Sequence, residues 1–194
     1  MLISKIVRAT GALFVAAALA GCVDVSMELK IIDEANGAAI TEFIMDREFY
    51  DMSQQQGGGT FCEDDGVFEL TDIIASCVTT KEGTFAQLLE DAESGGPAPT
   101  ITSVGPGLVR VAFPTASLAE EIKEDGSDPA SMAMMTEMFD GHTITLSVSG
   151  GEIVDTNMVI ATDGQSASLV IPFLDMITGT AELPKESYAV VNLN

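Results

Sequence analysis

The fold is decided by the stretch Val23-Asp-Val-Ser-Met-Glu-Leu-Lys-Ile31, in which apolar and polar residues alternate. A period of two residues is typical of a β-strand that buries one face. Asn36-Gly37 follows as a strong tight-turn signal, and residues 39–45 then carry a pattern that suits either a strand or a helix. Because the turn favours a hairpin, we predict that residues 39–45 pair back on the first strand.

The C-terminal part of the chain returns to the same two-residue period. Residues 143–148 read Thr-Ile-Thr-Leu-Ser-Val and predict a clear strand. The turn Asp163-Gly164 separates residues 157–161 from residues 168–171 as a further hairpin, and residues 188–193 give a last apolar strand. We therefore expect strands from both ends of the chain to form one antiparallel sheet.

The middle of the chain, about residues 54–140, is predicted to be a central insert. Residues 68–89 are expected to be a short helical or irregular segment, whereas residues 100–104 and 108–113 predict two strands. Pro129 follows Asp128 where a helix would begin, so a helix is expected over residues 130–139.

The predicted fold class is α+β. An antiparallel sheet is formed by the N-terminal and C-terminal strands, and helices from the central segment pack on it. Residues 22–194 are long enough for a single domain of this kind, and no repeat of solenoid length is visible.

The first 21 residues predict a signal peptide. Lys5 and Arg8 give a short positive region, residues 9–20 are small or apolar apart from one threonine, and the segment closes with Leu19-Ala-Gly-Cys22. That ending resembles the lipobox of bacterial lipoproteins, which implies a diacylglycerol on the thiol of Cys22, cleavage just before it, and acyl chains such as palmitate. An ordinary secretory signal with a chance cysteine is the alternative.

The lipid implies where the protein resides. Two or three acyl chains make an anchor effectively permanent, and no later stretch is apolar for long enough to span a bilayer. In bacterial lipoprotein sorting, an aspartate directly after the cysteine favours the inner membrane, but here Val23 intervenes before Asp24. We therefore expect a cell-envelope protein anchored in the outer membrane on its periplasmic face.

The charge excludes one class of partner. The formal net charge is −22, and all 30 acidic residues follow Cys22. Such a surface repels nucleic acid and anionic lipid headgroups, so no nucleic-acid partner is expected. Solvation of the surface is the simplest reading of this acidity.

Two cysteines remain once Cys22 carries lipid. An oxidising periplasm favours a disulfide between Cys62 and Cys77, which would close a loop of about 15 residues and contribute roughly 3 kcal/mol. The alternative is a reactive or metal-binding pair, although the chain has no CxxC motif and no histidine near them.

Catalytic groups are scarce. The single histidine, His142, starts a predicted strand, where a surface or turn role is commoner than catalysis, and no hydrolase, zinc-protease or phosphate-loop motif is present. The acidic loops at residues 63–65 and 124–128 lack the ligand spacing of an EF-hand. We expect no enzyme activity, no catalytic residues, no metal and no cofactor; a pair of glycosidase carboxylates is the alternative.

Methionines crowd the predicted helix over residues 130–139. Core packing is the first reading of this cluster, an apolar ligand-binding surface is the second, and copper(I) binding is the third. The candidate ligand-binding residues are Met132, Met135, Met138 and Phe139.

Both ends of the mature chain resemble the LppM-like lipoproteins, a family of membrane-attached bacterial proteins. The resemblance rests on the alternating strand directly after the lipobox, on Gly151-Glu-Ile-Val-Asp-Thr-Asn157, and on Asp163-Gly164 ahead of another strand. It implies an α+β domain with lipid-binding tendencies and without enzymatic activity, and it supplies no catalytic residues. The long central segment and the cysteine pair depart from the family pattern.

The function expected from the sequence is that of a lipid-anchored envelope protein acting as a binding or assembly module. Its partners would be the membrane, through the N-terminal lipid, and a lipid or other hydrophobic ligand or an envelope protein. The alternative is a structural or surface acidic lipoprotein with no small-molecule ligand.

Overall fold

The computed structural model describes residues 23–63, 65–92, 98–118, 136 and 139–194. Two β-sheets and short helices make up this part of the chain, so the predicted α+β class is confirmed. The seven strands of the large sheet, in spatial order, are β3 (Val67–Leu70), β4 (Ile74–Thr84), β2 (Asn36–Asp46), β1 (Val23–Ile31), β7 (Thr143–Ser149), β10 (Ser166–Pro172) and β9 (Val159–Ile160).

The smaller sheet has four strands. In spatial order they are β5 (Thr100–Gly105), β6 (Leu108–Phe113), β11 (Ser187–Asn192) and β8 (Glu152–Thr156). The helices with defined bounds are α1 (Arg47–Gln55), α2 (Phe85–Ala92) and α3 (Phe173–Thr178).

The predicted N-terminal hairpin is present. β1 and β2 pair antiparallel from Val23↔Met45 to Ile31↔Gly37, and the carboxylate of Asp33 stabilises the turn by accepting hydrogen bonds from the backbone N–H groups of Ala35 and Asn36, both at 2.8 Å. Residues 39–45 are therefore strand rather than helix.

The other neighbour of β1 introduces a parallel pair into the large sheet. β1 and β7 run in the same direction, with Val25 opposite Ile144 and Lys30 opposite Ser149. The alternation of each strand was read correctly, but alternation alone does not define which strand lies next to which, or in which direction.

The main core lies between the two sheets. β7 contributes Ile144, Leu146 and Val148, all less than a tenth exposed, and they share one apolar cluster with Val109 and Val111 of β6 and with Ala189 and Val191 of β11. α3 closes this core with Phe173, Met176 and Ile177. Burial of these aliphatic and aromatic side chains is the main favourable term for folding.

The expectation for residues 68–89 was wrong. Residues 67–70 and 74–84 form β3 and β4, and the helix α2 begins only at Phe85. β4 pairs along the whole of β2, from Asn36↔Thr84 to Asp46↔Ile74, so this part of the middle segment belongs to the large sheet. The predicted strands near residues 100–104 and 108–113 are present as β5 and β6 in the smaller sheet.

No helix among the residues that the structure describes is long and apolar enough to cross a bilayer.

A candidate ligand site at the amino-terminal end of the large sheet

Four strand ends meet at one end of the large sheet. Val23 begins β1 opposite Met45, Met45 lies opposite Ala75, and Ala75 lies opposite Leu70. The turn between β3 and β4, residues 71–73, and the start of α1 at Arg47 are at the same end. The first described residue of the chain is therefore surrounded by elements that are distant in sequence.

Arg47 fastens α1 to the β3–β4 turn. Its backbone N–H donates to the carbonyl of Ile73 at 2.8 Å, and its Nη1 donates to the carbonyl of Thr71 at 3.0 Å. Its Nε forms an ion pair with Asp51 one helical turn later, at 2.9 Å. Because the guanidinium of Arg47 is already paired with a carboxylate and a carbonyl, it attracts an anionic ligand only weakly.

A second, small apolar cluster lies beneath α1. Val23, Met45 and Ala75 are buried there, and the partly buried rings of Phe43, Phe49, Tyr50 and Phe61 pack against them. Tyr50, Phe61 and Phe68 also contact one another, with ring centroids separated by 5.8 Å (Tyr50–Phe61), 5.6 Å (Tyr50–Phe68) and 6.1 Å (Phe61–Phe68). Aromatic pairs at such distances stabilise a cluster beyond their area burial alone.

The disulfide predicted from the sequence is present beside this cluster. Cys62 and Cys77 are bonded with a Cα–Cα distance of 5.4 Å, and Cys77 is buried in β4. Because Phe61 precedes Cys62, the bond holds that ring against the end of the sheet.

A cleft of about 620 Å³ opens between α1 and the β3–β4 turn. Its apolar walls are Phe49, Met52 and Ile73. Met52 is 46% exposed and Ile73 is 76% exposed, which is unusual for side chains that share a concave surface. Apolar and charged side chains therefore line the same cleft, which suits an amphiphilic group better than a purely ionic one.

The charged residues that line the cleft are mostly acidic. Asp46, Glu48 and Asp72 line it together with Arg47, whose guanidinium is engaged by Asp51 and Thr71. These carboxylates disfavour an anionic headgroup at the mouth of the cleft. Within the described ranges, no group of three or more histidine, cysteine or acidic side chains is arranged to hold a metal ion.

A smaller cleft of about 350 Å³ lies over the second sheet, against Ala112, Pro114 and Lys185. The polar groups beside it are engaged with one another. Arg110 forms an ion pair with Glu186 at 2.5 Å and lies 4.4 Å from the ring centroid of Tyr188. This arrangement stabilises the surface of the sheet but presents no unengaged guanidinium to a ligand.

His142 has a structural partner. Its Nδ1 lies 3.3 Å from Oδ2 of Asp24, while Oδ1 of Asp24 accepts hydrogen bonds from the backbone N–H of Thr143 at 2.7 Å and from its hydroxyl at 3.0 Å. The carboxylate thus joins the start of β1 to the start of β7, which accounts for both residues without catalysis.

The predicted ligand-binding residues are only partly described. Phe139 is buried in the main core and stacks on Phe173, with centroids 5.0 Å apart. Met132, Met135 and Met138 lie outside the described residues, as does the proposed lipidation site Cys22. Their roles stay predictions.

Sequence reasoning missed the cleft residues Phe49, Met52 and Ile73. The apolar positions of residues 47–55 indicate one side of a short helix, but Ile73 reaches the cleft only through the β3–β4 hairpin. No local pattern signals that contact.

Neither models of known protein families nor curated protein sequences gave a match to this chain. Among solved structures, the chain is similar to the folded domain of LppM from Mycobacterium tuberculosis, determined by NMR. The TM-score is 0.50 at 11% sequence identity, and the match covers 90% of this chain and 92% of the other. The likeness therefore concerns the fold, and at that level it confirms the LppM-like resemblance that the two ends of the sequence predicted.

Proposed function

We propose that this chain is a lipid-anchored envelope protein that binds a hydrophobic or amphiphilic ligand without catalysis. The observation that carries the proposal is the apolar cleft of Phe49, Met52 and Ile73, which lies at the end of the sheet where the chain continues to Cys22. The ligand is a lipid or an apolar segment of an envelope protein.

The anchor rests on the sequence. Residues 1–21 have the charge and apolar core of a signal peptide, and Leu19-Ala-Gly-Cys22 is the acceptor motif for lipid. We place the protein in the outer membrane, facing the periplasm, because Val23 rather than Asp24 follows the cysteine. A disulfide between Cys62 and Cys77 fits that oxidising compartment.

The chemistry of the cleft selects among amphiphiles. Its apolar side chains line it together with the carboxylates of Asp46, Glu48 and Asp72, so a neutral or zwitterionic headgroup is favoured over an anionic one.

The proposal is tested with the folded domain from Val23 onward and a neutral naphthylamine dye that fluoresces in apolar sites. We expect the dye to bind and a lysophosphatidylcholine to displace it. Met52→Glu should weaken dye binding about tenfold, because burial of a methionine side chain contributes about 1.5 kcal/mol or more.

Ile32→Glu is the matched control. Ile32 is 50% exposed, similar to Met52, but it lies in the β1–β2 turn at the other end of the sheet. Equal binding by both variants, or no binding by the parent domain, would refute the cleft as the ligand site. In the latter case, failure to recover any envelope protein by crosslinking would favour a structural acidic lipoprotein.

A further inference from the structure

The lipid and the folded domain are separated by almost no chain. Val23 is the first residue of β1, is only 2% exposed, and packs with Met45 and Ala75. Cys22 is the preceding residue, and adjacent Cα atoms are about 3.8 Å apart across a trans peptide. A lipid on Cys22 would therefore hold this end of the sheet at the membrane surface, because there is no linker to let the domain move away.

The same end of the sheet carries exposed apolar side chains. Ile73 is 76% exposed, Met52 is 46% exposed and Leu70 is 40% exposed. Leu70 ends β3, Ile73 lies in the turn that follows, and Met52 lines the same cleft as Ile73. We call these three residues the anchor-end patch.

We propose that the anchor-end patch rests on the bilayer that holds the lipid of Cys22, with Ile73 entering the boundary between headgroups and acyl chains. This inference relies on the proposed function for the anchor alone and not on ligand binding. Partial burial of exposed apolar side chains at that boundary is favourable, and the anchor removes most of the entropic cost of bringing them there.

The charges around the patch define the kind of bilayer. Asp46, Glu48 and Asp72 lie beside it, and Arg47 is paired with Asp51. Attraction of basic residues to anionic lipid therefore contributes nothing here, and the contact is apolar. Neutral and zwitterionic lipids such as phosphatidylcholine are the surface that fits, and the contact should persist at high salt.

The opposite end of β1 provides an internal control. Ile32 follows β1 directly and is 50% exposed. A strand of this length spans about 30 Å at roughly 3.3 Å per residue, so Ile32 would lie well outside the bilayer when Val23 is at its surface.

The chain contains no tryptophan, so a single introduced indole reports its own surroundings. The full chain, matured in a bacterial host and shown by mass to carry its lipid, is reconstituted into phosphatidylcholine vesicles with brominated acyl chains. We expect the fluorescence of Ile73→Trp to shift to the blue and to be quenched by about half, and that of Ile32→Trp to be unchanged. Leu70→Trp is the second reporter, because Leu70 belongs to the patch but does not line the cleft, where a brominated lipid bound as a ligand would also quench Ile73→Trp.

Each other outcome counts against the docking. If Ile73→Trp and Leu70→Trp are as unquenched as Ile32→Trp on a lipidated chain, the patch does not touch the membrane, while the anchor stands. If quenching needs anionic lipid and disappears in salt, the apolar mode is wrong. A chain without lipid on Cys22 overturns both the anchor and the docking.

Discussion

Asp24 is the residue whose contacts join the start of β1 to the start of β7 in the large sheet. Its carboxylate accepts hydrogen bonds from the backbone N–H and hydroxyl of Thr143 and lies beside the ring of His142. Its side chain is 42% exposed, so water competes for the same carboxylate and the net contribution to stability is modest.

Asp24→Ala is expected to lower the free energy of unfolding by about 1 kcal/mol, and Asp24→Asn by less, because the amide oxygen still accepts from Thr143. Urea denaturation followed by circular dichroism measures both. Equal stability of the alanine variant and the parent would mean that the β1–β7 junction does not depend on this carboxylate.

Asp33 gives the β1–β2 turn a pH dependence. The side-chain amide of Asn36, together with the backbone N–H groups of Ala35 and Asn36, lowers the pKa of the Asp33 carboxyl below its ordinary value of 3.8. Since the pKa is lower in the folded chain than in the unfolded one, the turn is stabilised by the carboxylate above that value. The contribution is lost as the pH falls through the folded-state pKa.

An NMR titration of the Asp33 carboxyl should therefore have its midpoint below 3.8. Asn36→Ala removes the donor with the largest effect and should raise that midpoint. A midpoint at or above the ordinary value in the parent chain would contradict the hydrogen-bonded turn.

At the scale of the element, the turn from β7 to β8 brings Gly150 close to the end of β1. Gly150 has φ of 115°, and a Cβ at that position would lie only 1.9 Å from the carbonyl oxygen of Ile31. Gly164 has φ of 72° but would meet nothing within 4 Å. Comparing substitutions at the two positions therefore separates the energetic cost of a strained backbone from the cost of a steric clash.

Gly164→Ala is expected to cost about 1 kcal/mol, from the left-handed backbone alone. Gly150→Ala should cost about 3 kcal/mol or more, because the end of β1 must also move. Equilibrium denaturation of the two variants compares them directly, and equal losses would show that the close approach to Ile31 is absent.

The disulfide is the covalent restraint on the candidate site. Replacing both Cys62 and Cys77 by alanine is expected to reduce the free energy of unfolding by roughly 3 kcal/mol and to weaken dye binding, because Phe61 is no longer held against the apolar cluster. Denaturation and dye titration of the variant test this. A loss of stability with unchanged binding would separate the disulfide from the cleft.

The elements differ in how far local sequence defines them. β1 and β2 were predictable because strict alternation is followed by Asn36-Gly37. β4 was missed because residues 74–80, Ile-Ala-Ser-Cys-Val-Thr-Thr, do not alternate in polarity, although Ala75, Ser76 and Cys77 are buried by their neighbours in the sheet. The parallel pairing of β1 with β7 depends on contacts between distant parts of the chain, and no local sequence pattern predicts it.

For the whole molecule, composition and periodicity predicted the α+β class, and the two cysteines left in an oxidising compartment predicted the disulfide. The cleft was not predictable, because it exists only where α1 meets the turn before β4 and Arg47 bonds to Ile73 and Thr71. The place of Met132, Met135 and Met138 relative to that cleft stays a prediction.

A lipid anchor at Cys22 would bring every feature of the site close to the membrane. The strands of the large sheet would then extend away from the membrane, and the anchor-end patch would lie at the membrane surface. The cleft would open close to the lipid from which an amphiphilic ligand would come. With no linker before Val23, a lipid on Cys22 would keep this end of the sheet close to the membrane.

The most direct test is the intact mass of the protein extracted from the membranes of a bacterial host. We predict a chain that begins at Cys22, carries the added mass of a diacylglycerol and an acyl group, and is lighter by the two hydrogens lost when Cys62 and Cys77 form their disulfide. A chain that begins elsewhere, or that begins at Cys22 without lipid, would contradict the anchored module on which the orientation of the site depends.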